Sequence, residues 1–209
     1  MIVSTLKKLG LTGLLVLAGA QTPDGPPPGP EEVRYEDLTE HPGRRLGKTV
    51  RFHFSFESEI EDWNPYLTRF GKHEWSLWRG WSDDQFPWEL EAFESPIAYI
   101  FCPRDGRLDR KLRRAETYER FQVDAILREY TAGRPWLEVV ALERTDEEIT
   151  EGAIIHASRA LDEMEEEQWM LALDDLDRAR IGSLPPRAEA ELDRLSAVCE
   201  RALDAPETE

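Results

Sequence analysis

An alternation of apolar and polar side chains begins after Thr49 and is the clearest pattern in the chain. Val50, Phe52, Phe54 and Phe56 fall on one side of an extended backbone, and the residues between them are polar or charged. Because the side chains of a strand point alternately to its two faces, this segment is predicted to be a strand with one buried face.

Four further segments are predicted to be strands. Residues 74–81 are aromatic and irregular, residues 97–102 form a short continuous apolar run, and residues 121–130 and 136–143 alternate again. Residues 131–134 read Thr-Ala-Gly-Arg and supply the turn between the last two strands.

The period changes from two to about 3.6 residues after Thr145. Thr145 and Glu148 have the spacing of a capping box, which predicts that a first helix starts there. Apolar stripes then recur at helical spacing over residues 149–164, 169–179 and 192–203. Three helices are therefore expected to form a compact unit after the strands.

The order of these elements resembles the OB-fold, a small Greek-key barrel. Residues 107–115 carry two leucines four positions apart and predict a helix between the third and fourth strands. Residues 46–52 resemble the start of the first strand in many OB-fold proteins, and residues 133–139 are similar to their last hairpin. The resemblance covers residues 44–144. It implies an α+β chain: a five-stranded OB-like β-barrel with one helix between strands 3 and 4, then a C-terminal bundle of three helices.

OB-fold proteins commonly bind single-stranded nucleic acid, oligosaccharide or protein on the face of strands two and three and on the flanking loops. Residues 58–73 form a long insertion between the first two predicted strands of this chain. The insertion departs from the family pattern and is expected to reshape the binding loops.

Residues 169–185 look like the second half of a tetratricopeptide repeat, with aromatic, small, large and small residues at the helix contact positions. The preceding helix departs from that pattern, because Arg159 and Glu163 stand where small or apolar residues are expected. Arrays of such repeats need about three units for stability, and this chain holds at most one and a half. The hairpin is therefore expected to pack on the barrel or on a partner.

The first residues predict export. An apolar run over residues 9–20 follows Lys7 and Lys8 and ends in the small triplet Ala-Gly-Ala, as in a cleavable secretory signal. The run is shorter than the roughly 20 apolar residues that a membrane span needs, so no stable membrane insertion is expected after cleavage. Gln21 follows the triplet, and it cannot carry the lipid that anchors a bacterial lipoprotein through cysteine. The mature protein is expected to be periplasmic or secreted.

These patterns, together with the proline-rich composition of residues 21–32, predict five consecutive segments. Residues 1–20 are the signal peptide, 21–32 a Pro/Gly-rich linker with five prolines, 33–145 the OB-like barrel, 146–205 the helical hairpin with a C-terminal helix, and 206–209 a tail.

The chain is strongly acidic, with 26 basic and 43 acidic residues and a formal net charge of −17. The leader carries two lysines and no acid, so its removal takes the charge to −19. Nucleic-acid affinity comes largely from cations that displace counterions from phosphates, so no nucleic-acid partner is expected. Acidity that serves solubility alone is the simpler alternative.

The charges are also segregated along the chain. Residues 104–114 hold six basic side chains, whereas residues 146–177 hold twelve acids and one arginine. We expect the acidic helices to dock on the basic helix; binding of a carboxylate or phosphate by the basic cluster is the alternative.

Aromatic residues are concentrated between positions 63 and 88, and this segment is the main candidate for a binding site. This segment contains five of the seven tryptophans, and rigid rings suit stacking on sugars or burial of a partner's side chain. The alternative is that the rings form a second core layer. The candidate binding residues are Trp75, Trp78, Trp81, Trp88 and Tyr66.

Catalytic chemistry has little support in the sequence. The four histidines occur singly, none has metal-ligand spacing to another histidine or a cysteine, and no nucleophile elbow or phosphate loop is present. Asp83-Asp84 and Glu61-Asp62 are possible hydrolase or calcium pairs, but such neighbours arise by chance in an acidic chain. No catalytic residue, metal or cofactor is predicted.

Cys102 and Cys199 are expected either to pair in an oxidising compartment or to be buried separately.

The sequence therefore predicts a non-catalytic extracytoplasmic protein that recognises another envelope or secreted protein. The alternative is a carbohydrate-binding module that uses the Trp-rich segment 63–88, and an enzyme is the third hypothesis. Sugar binding requires that Trp75, Trp78, Trp81 and Trp88 present coplanar, exposed rings.

We expect exported material to begin at about Gln21, because the Ala-Gly-Ala triplet offers the small side chains that precede signal-peptidase cleavage. Intact-mass measurement of protein exported by a processing host checks this. The control is Leu14→Arg, which interrupts the apolar run and should remain unprocessed. Exported protein that retains Met1 would contradict the prediction.

Overall fold

The computed structural model describes residues 29–64, 66 and 68–205. The predicted signal peptide, residues 21–28 of the predicted linker and the tail at 206–209 lie outside the described residues. The strands are β1 (Glu31–Glu32), β2 (Thr49–Ile60), β3 (Trp75–Ser82), β4 (Ile97–Pro103), β5 (Arg120–Thr131) and β6 (Arg134–Arg144). The helices are α1 (Tyr35–Glu40), α2 (Pro42–Arg45), α3 (Leu90–Glu94), α4 (Arg107–Leu112), α5 (Glu151–Glu165), α6 (Trp169–Ala179) and α7 (Pro186–Asp204).

Strands β2 to β6 close into a five-stranded barrel. Strand β2 pairs antiparallel with both β3 and β5, β4 pairs antiparallel with β3 and parallel with β6, and β6 returns antiparallel to β5. Helix α4 lies between the third and fourth barrel strands, and three helices follow the barrel. This α+β architecture confirms the predicted fold class. Strand β1, at the end of the predicted linker, adds a short parallel pairing to β2.

Strand β2 closes the barrel because it is long enough to pair with two other strands. Its apolar residues Val50, Phe52, Phe54 and Phe56 are all buried in the barrel core, as their spacing predicts. The strand is 12 residues long, so its first half pairs with β5 while its second half pairs with β3. One long strand thereby joins two neighbours that are far apart in sequence.

Gly80 allows β3 to approach β2 closely. A Cβ atom at this position would collide with the carbonyl oxygen of Ser55 and with the ring of Phe54. The pairing register of β3 also shifts between Trp78 and Gly80. A bulge with glycine is the usual way for a strand to bend at a barrel corner.

Helices α5, α6 and α7 share a second apolar cluster, which continues onto the barrel through Phe86, Trp88 and Tyr118. The helical hairpin therefore packs on the barrel. Among the residues described, no helix combines the length and apolar character that crossing a membrane requires.

Helix α5 begins later than the capping-box pattern predicts. Thr150 is the N-cap, and its hydroxyl accepts a hydrogen bond from Ala153 N at 3.2 Å. The predicted start at Thr145 is wrong because the Thr145 hydroxyl instead accepts from the guanidinium of Arg120 at 3.1 Å. Glu148 N donates to the carbonyl oxygen of Ser183 at 2.9 Å, which holds this segment outside the helix.

The predicted docking of the acidic helices on α4 is also wrong. Within the described part of the chain, no ion pair joins residues 104–114 to residues 146–177. The buried Asp175 of α6 instead contacts His156 at 2.8 Å and Arg159 at 3.1 Å, both on α5. Exposed ion pairs contribute about 0–1 kcal/mol, so burial of Trp88 and its apolar neighbours decides where the helices pack.

One buried guanidinium joins the helical unit to the barrel. Arg120, at the start of β5, is only 3% exposed. Its Nε and Nη2 donate to the two carboxylate oxygens of Asp83 at 2.9 and 2.6 Å. Its Nη1 donates to Thr145 at 3.1 Å and to Glu147 at 3.2 Å, both in the segment that leads to α5.

Replacing Arg120 with alanine should lower the free energy of unfolding by about 3–5 kcal/mol, because the change leaves Asp83 without its buried counter-charge. Urea denaturation of protein that begins at Gln21 measures this loss. The matched control is Arg79→Ala, which removes an exposed pair with Glu57 and should cost at most about 1 kcal/mol. Equal losses in the two variants would show that Arg120 is not a structural anchor.

Candidate functional site

The predicted aromatic residues occupy different environments. Trp78 lies in the barrel core, Trp81 is buried between Phe93 and Tyr118, and Trp88 lies in the helix cluster. Trp75 is half-buried, and Tyr66 is 94% exposed. The four tryptophans therefore do not form one exposed platform. Strand parity separates Trp75 from Trp78, and the bulge at Gly80 redirects Trp81.

Trp75 belongs to an apolar cluster on the outer side of the barrel. Strands β3, β4 and β6 contribute buried Leu77, Phe101 and Trp136, and half-buried Trp75 and Tyr99 border them. This surface includes strands two and three of the OB-like barrel, where the resemblance predicts binding. We define the aromatic face as Trp63, Phe70, Trp75, Tyr99, Phe101 and Trp136.

The rings of the aromatic face contact one another closely. The centroids of Phe70 and Phe101 are 4.3 Å apart, and those of Tyr99 and Trp136 are 4.6 Å apart. Trp75 meets both Phe70 and Phe101 edge-on, with centroid distances of 5.2 Å. Such tilted contacts stabilise aromatic clusters beyond simple area burial.

The insertion between β2 and β3 folds onto the aromatic face. Its Phe70 is buried against Phe101, and the indole Nε1 of Trp63 donates to the carbonyl oxygen of Phe70 at 3.1 Å. The insertion thus covers part of the surface that an OB-fold usually leaves open.

Polar contacts hold the second half of this loop. Glu129 of β5 accepts from the hydroxyl of Thr68 at 2.9 Å and pairs with Arg69 Nε at 2.9 Å. Arg104 donates to the carbonyl oxygens of Lys72 at 3.0 Å and of Trp75 at 3.2 Å. Residues 68–75 are therefore held against the barrel, while Tyr66, which precedes them, projects into solvent.

Two guanidinium groups lie over rings of the aromatic face. Arg69 is 5.1 Å from the centroid of Phe70, and Arg134 is 5.1 Å from the centroid of Tyr99. Tyr99 has φ of 73°, a conformation that bulky residues rarely adopt and that clusters at functional sites. The aromatic face therefore combines partly exposed rings, such as Trp75 and Tyr99, with two arginines at its border.

A second concave region lies where the N-terminal segment, the barrel and α7 meet. This junction cleft has a volume of about 490 Å³ and is lined by charged groups of both signs. Asp84 accepts from Tyr35 N at 3.0 Å and from Arg34 Nε at 3.2 Å, and it also pairs with Arg187. The carboxylate thus ties three parts of the chain together.

The junction cleft is also lined by Ser82, His53 and Asp83. These three residues are not hydrogen-bonded to one another as a serine–histidine–aspartate catalytic triad would be. The buried Ser82 hydroxyl has no hydrogen-bond partner among the described residues, and His53 Nδ1 lies 3.6 Å from Asp83 Oδ2. Arg120 occupies both oxygens of Asp83. Burial, followed by the charge of Arg120, lowers the pKa of His53, so its imidazole is neutral at pH 7.

The carboxylate pairs noted in the sequence serve ion pairing in this structure. Asp83 and Asp84 bind arginines, and Asp62 pairs with Lys72 at 2.9 Å. Over the described ranges, no group of three or more His, Cys, Asp or Glu residues is arranged to hold a metal ion.

The two cysteines are free and lie in different clusters, Cys102 in the barrel core and Cys199 among the helices. Burial raises the pKa of Cys102 to about 11, so its thiol stays protonated at neutral pH. Separate burial is thus the arrangement that the structure shows.

Sequence reasoning missed several members of the aromatic face. Tyr99 and Phe101 share one parity on the third predicted strand, which was a usable indication of a common face. Trp136 and Arg134 reach this face only through the parallel pairing of β4 with β6. That pairing joins residues far apart in sequence, so local patterns could not reveal it.

The chain matches no protein-family model, and no curated protein matches it significantly. The OB-like description therefore rests on strand order, register and the position of α4. The resemblance of residues 169–185 to a tetratricopeptide repeat stays a prediction.

Proposed function

We propose that this protein is a non-catalytic binding protein of the periplasm or the extracellular space, which recognises another protein through the aromatic face and loop 61–74. The observation that carries the proposal is the 94% exposure of Tyr66, just before a segment that is hydrogen-bonded to the barrel. The predicted signal peptide supports the location.

The side-chain chemistry favours protein recognition. Tyrosine, tryptophan and arginine dominate the residues that contribute most to binding at protein interfaces. Tyr66 offers a large ring with few rotatable bonds, and residues 68–72 of the same loop are already bonded to Glu129 and Arg104. Binding through a segment that is already positioned costs less conformational entropy than ordering a flexible one.

A carbohydrate-binding module is the weaker alternative. Stacking on a sugar requires an open ring face, and Trp78, Trp81 and Trp88 are buried. Of the candidate residues, Trp75 and Tyr66 remain accessible for that purpose.

Replacing Tyr66 with alanine should weaken binding of the protein partner by about 30-fold or more, since hot-spot residues contribute at least about 2 kcal/mol. A photo-crosslinking amino acid at position 66 first captures the partner in the exporting host. Dissociation constants are then measured with the purified partner and the mature protein.

The control is Ile181, which is 75% exposed on the helical unit and therefore equally tolerant of change. A crosslinker at position 181 should not capture the same partner, and Ile181→Ala should leave the dissociation constant unchanged. The proposal fails if Tyr66→Ala binds the partner as well as the unchanged protein does. It also fails if an oligosaccharide that quenches tryptophan fluorescence proves to be the ligand, since that result selects the alternative.

The mature protein should not bind single-stranded DNA or RNA appreciably, in spite of its OB-like barrel. Stacking contributes about 1–3 kcal/mol per base, but a net charge of −19 repels the phosphates. Repulsion is strongest at about 0.01 M salt, where the Debye length is about 30 Å. Fluorescence anisotropy of a labelled oligonucleotide at that salt concentration checks this. Salt-sensitive micromolar binding would instead indicate a nucleic-acid-binding protein.

A further inference from the structure

Four exposed cations lie on or just after helix α4, at spacings of i, i+3, i+4 and i+7. Arg107, Arg110 and Lys111 belong to α4, and Arg114 lies in the turn that follows its last residue, Leu112. All four line the same cleft. We call these four residues the basic stripe. Like charges at such spacings repel one another and destabilise a helix.

Within the described part of the chain, no carboxylate lies within ion-pair distance of the basic stripe. Neighbouring cations are treated differently, since Arg104 and Arg113 both pair with Glu59 of β2. Lys111 Nζ donates to the backbone carbonyl of Leu142 at 3.0 Å, and Arg110 donates to that of Asp105. These contacts position the cations without neutralising them.

The basic stripe also borders a concave surface. It lines a cleft of about 360 Å³ with buried Phe121 and with Glu119. Lys111 Nζ lies 5.5 Å from the centre of the Phe121 ring. Glu119 is itself engaged by Arg144 at 3.0 Å, so its charge is already partnered. The result is a cationic cleft on a chain whose net charge is −17.

We propose that this cleft binds a compact oxyanion that carries several negative charges, of the phosphate or polycarboxylate type. Guanidinium groups form paired hydrogen bonds with both kinds of oxyanion. Four cations around one cleft, none with a carboxylate partner in the described part of the chain and two held by backbone carbonyls, are the chemistry that such a ligand requires. This ligand is distinct from the protein partner of the aromatic face.

The dimensions of the basic stripe favour a compact ligand over a long polyanion. It spans eight residues, of which the first six are helical, and extends over about 10 Å, and charges beyond about 8 Å are largely screened at physiological salt. A small oxyanion within the cleft therefore experiences mainly the cations. A long polyanion would extend onto the acidic remainder of the surface and be repelled there.

Isothermal titration of the mature protein with pyrophosphate and, separately, with citrate tests the proposal. We expect at least one of them to bind with one-to-one stoichiometry and with an affinity that falls as salt is raised. The Arg107→Gln/Arg114→Gln double variant should bind at least tenfold more weakly. Binding of pyrophosphate alone identifies a phosphate ligand, and binding of citrate alone identifies a carboxylate ligand.

The matched control is Arg44→Gln/Lys48→Gln, which removes two exposed cations that also have no carboxylate partner among the described residues. This control should bind as the unchanged protein does, and circular dichroism should show that both double variants are folded. The proposal is overturned if neither anion binds, if the two double variants lose affinity equally, or if a single-stranded oligonucleotide binds more tightly than either anion.

Discussion

The buried guanidinium of Arg120 is the interaction on which the arrangement of this protein depends. It joins β5 to Asp83 after β3, and it joins both to Thr145 and Glu147 before α5. Because a buried charge must be paired, these segments cannot separate without exposing or stranding it. The apolar cluster around Trp88 decides where the helices pack, and Arg120 fixes the segment that leads into α5 to the start of β5.

Closure of the barrel determines which side chains reach the outer surface. Strand β2 is long enough to pair with two neighbours, and Gly80 permits β3 to approach it without a collision. The parallel pairing of β4 with β6 then places Trp136 beside Tyr99 and Phe101. The loop after β2 covers part of this face with Phe70, and Tyr66 of the same loop is exposed.

The aromatic face and the basic stripe use different physical effects. The first is an apolar cluster whose partly exposed rings, such as Trp75 and Tyr99, have polar edges. The second is concentrated positive charge on an otherwise acidic chain, and the attraction that it exerts is local and depends on salt. The two surfaces proposed as binding sites therefore differ in the chemistry of the ligand that each would take.

Local patterns determined the strands, the helix after the third strand and the order that resembles an OB-fold, since alternation and helical spacing act over a few residues. They failed at Thr145, because Arg120, which is distant in sequence, donates a hydrogen bond to the hydroxyl that was predicted to cap a helix. They also failed for the acidic helices, because apolar burial outweighs exposed charge. Which tryptophans are buried, and which cations lack partners, was decided only by the tertiary structure: both depend on contacts between residues that are far apart in the chain.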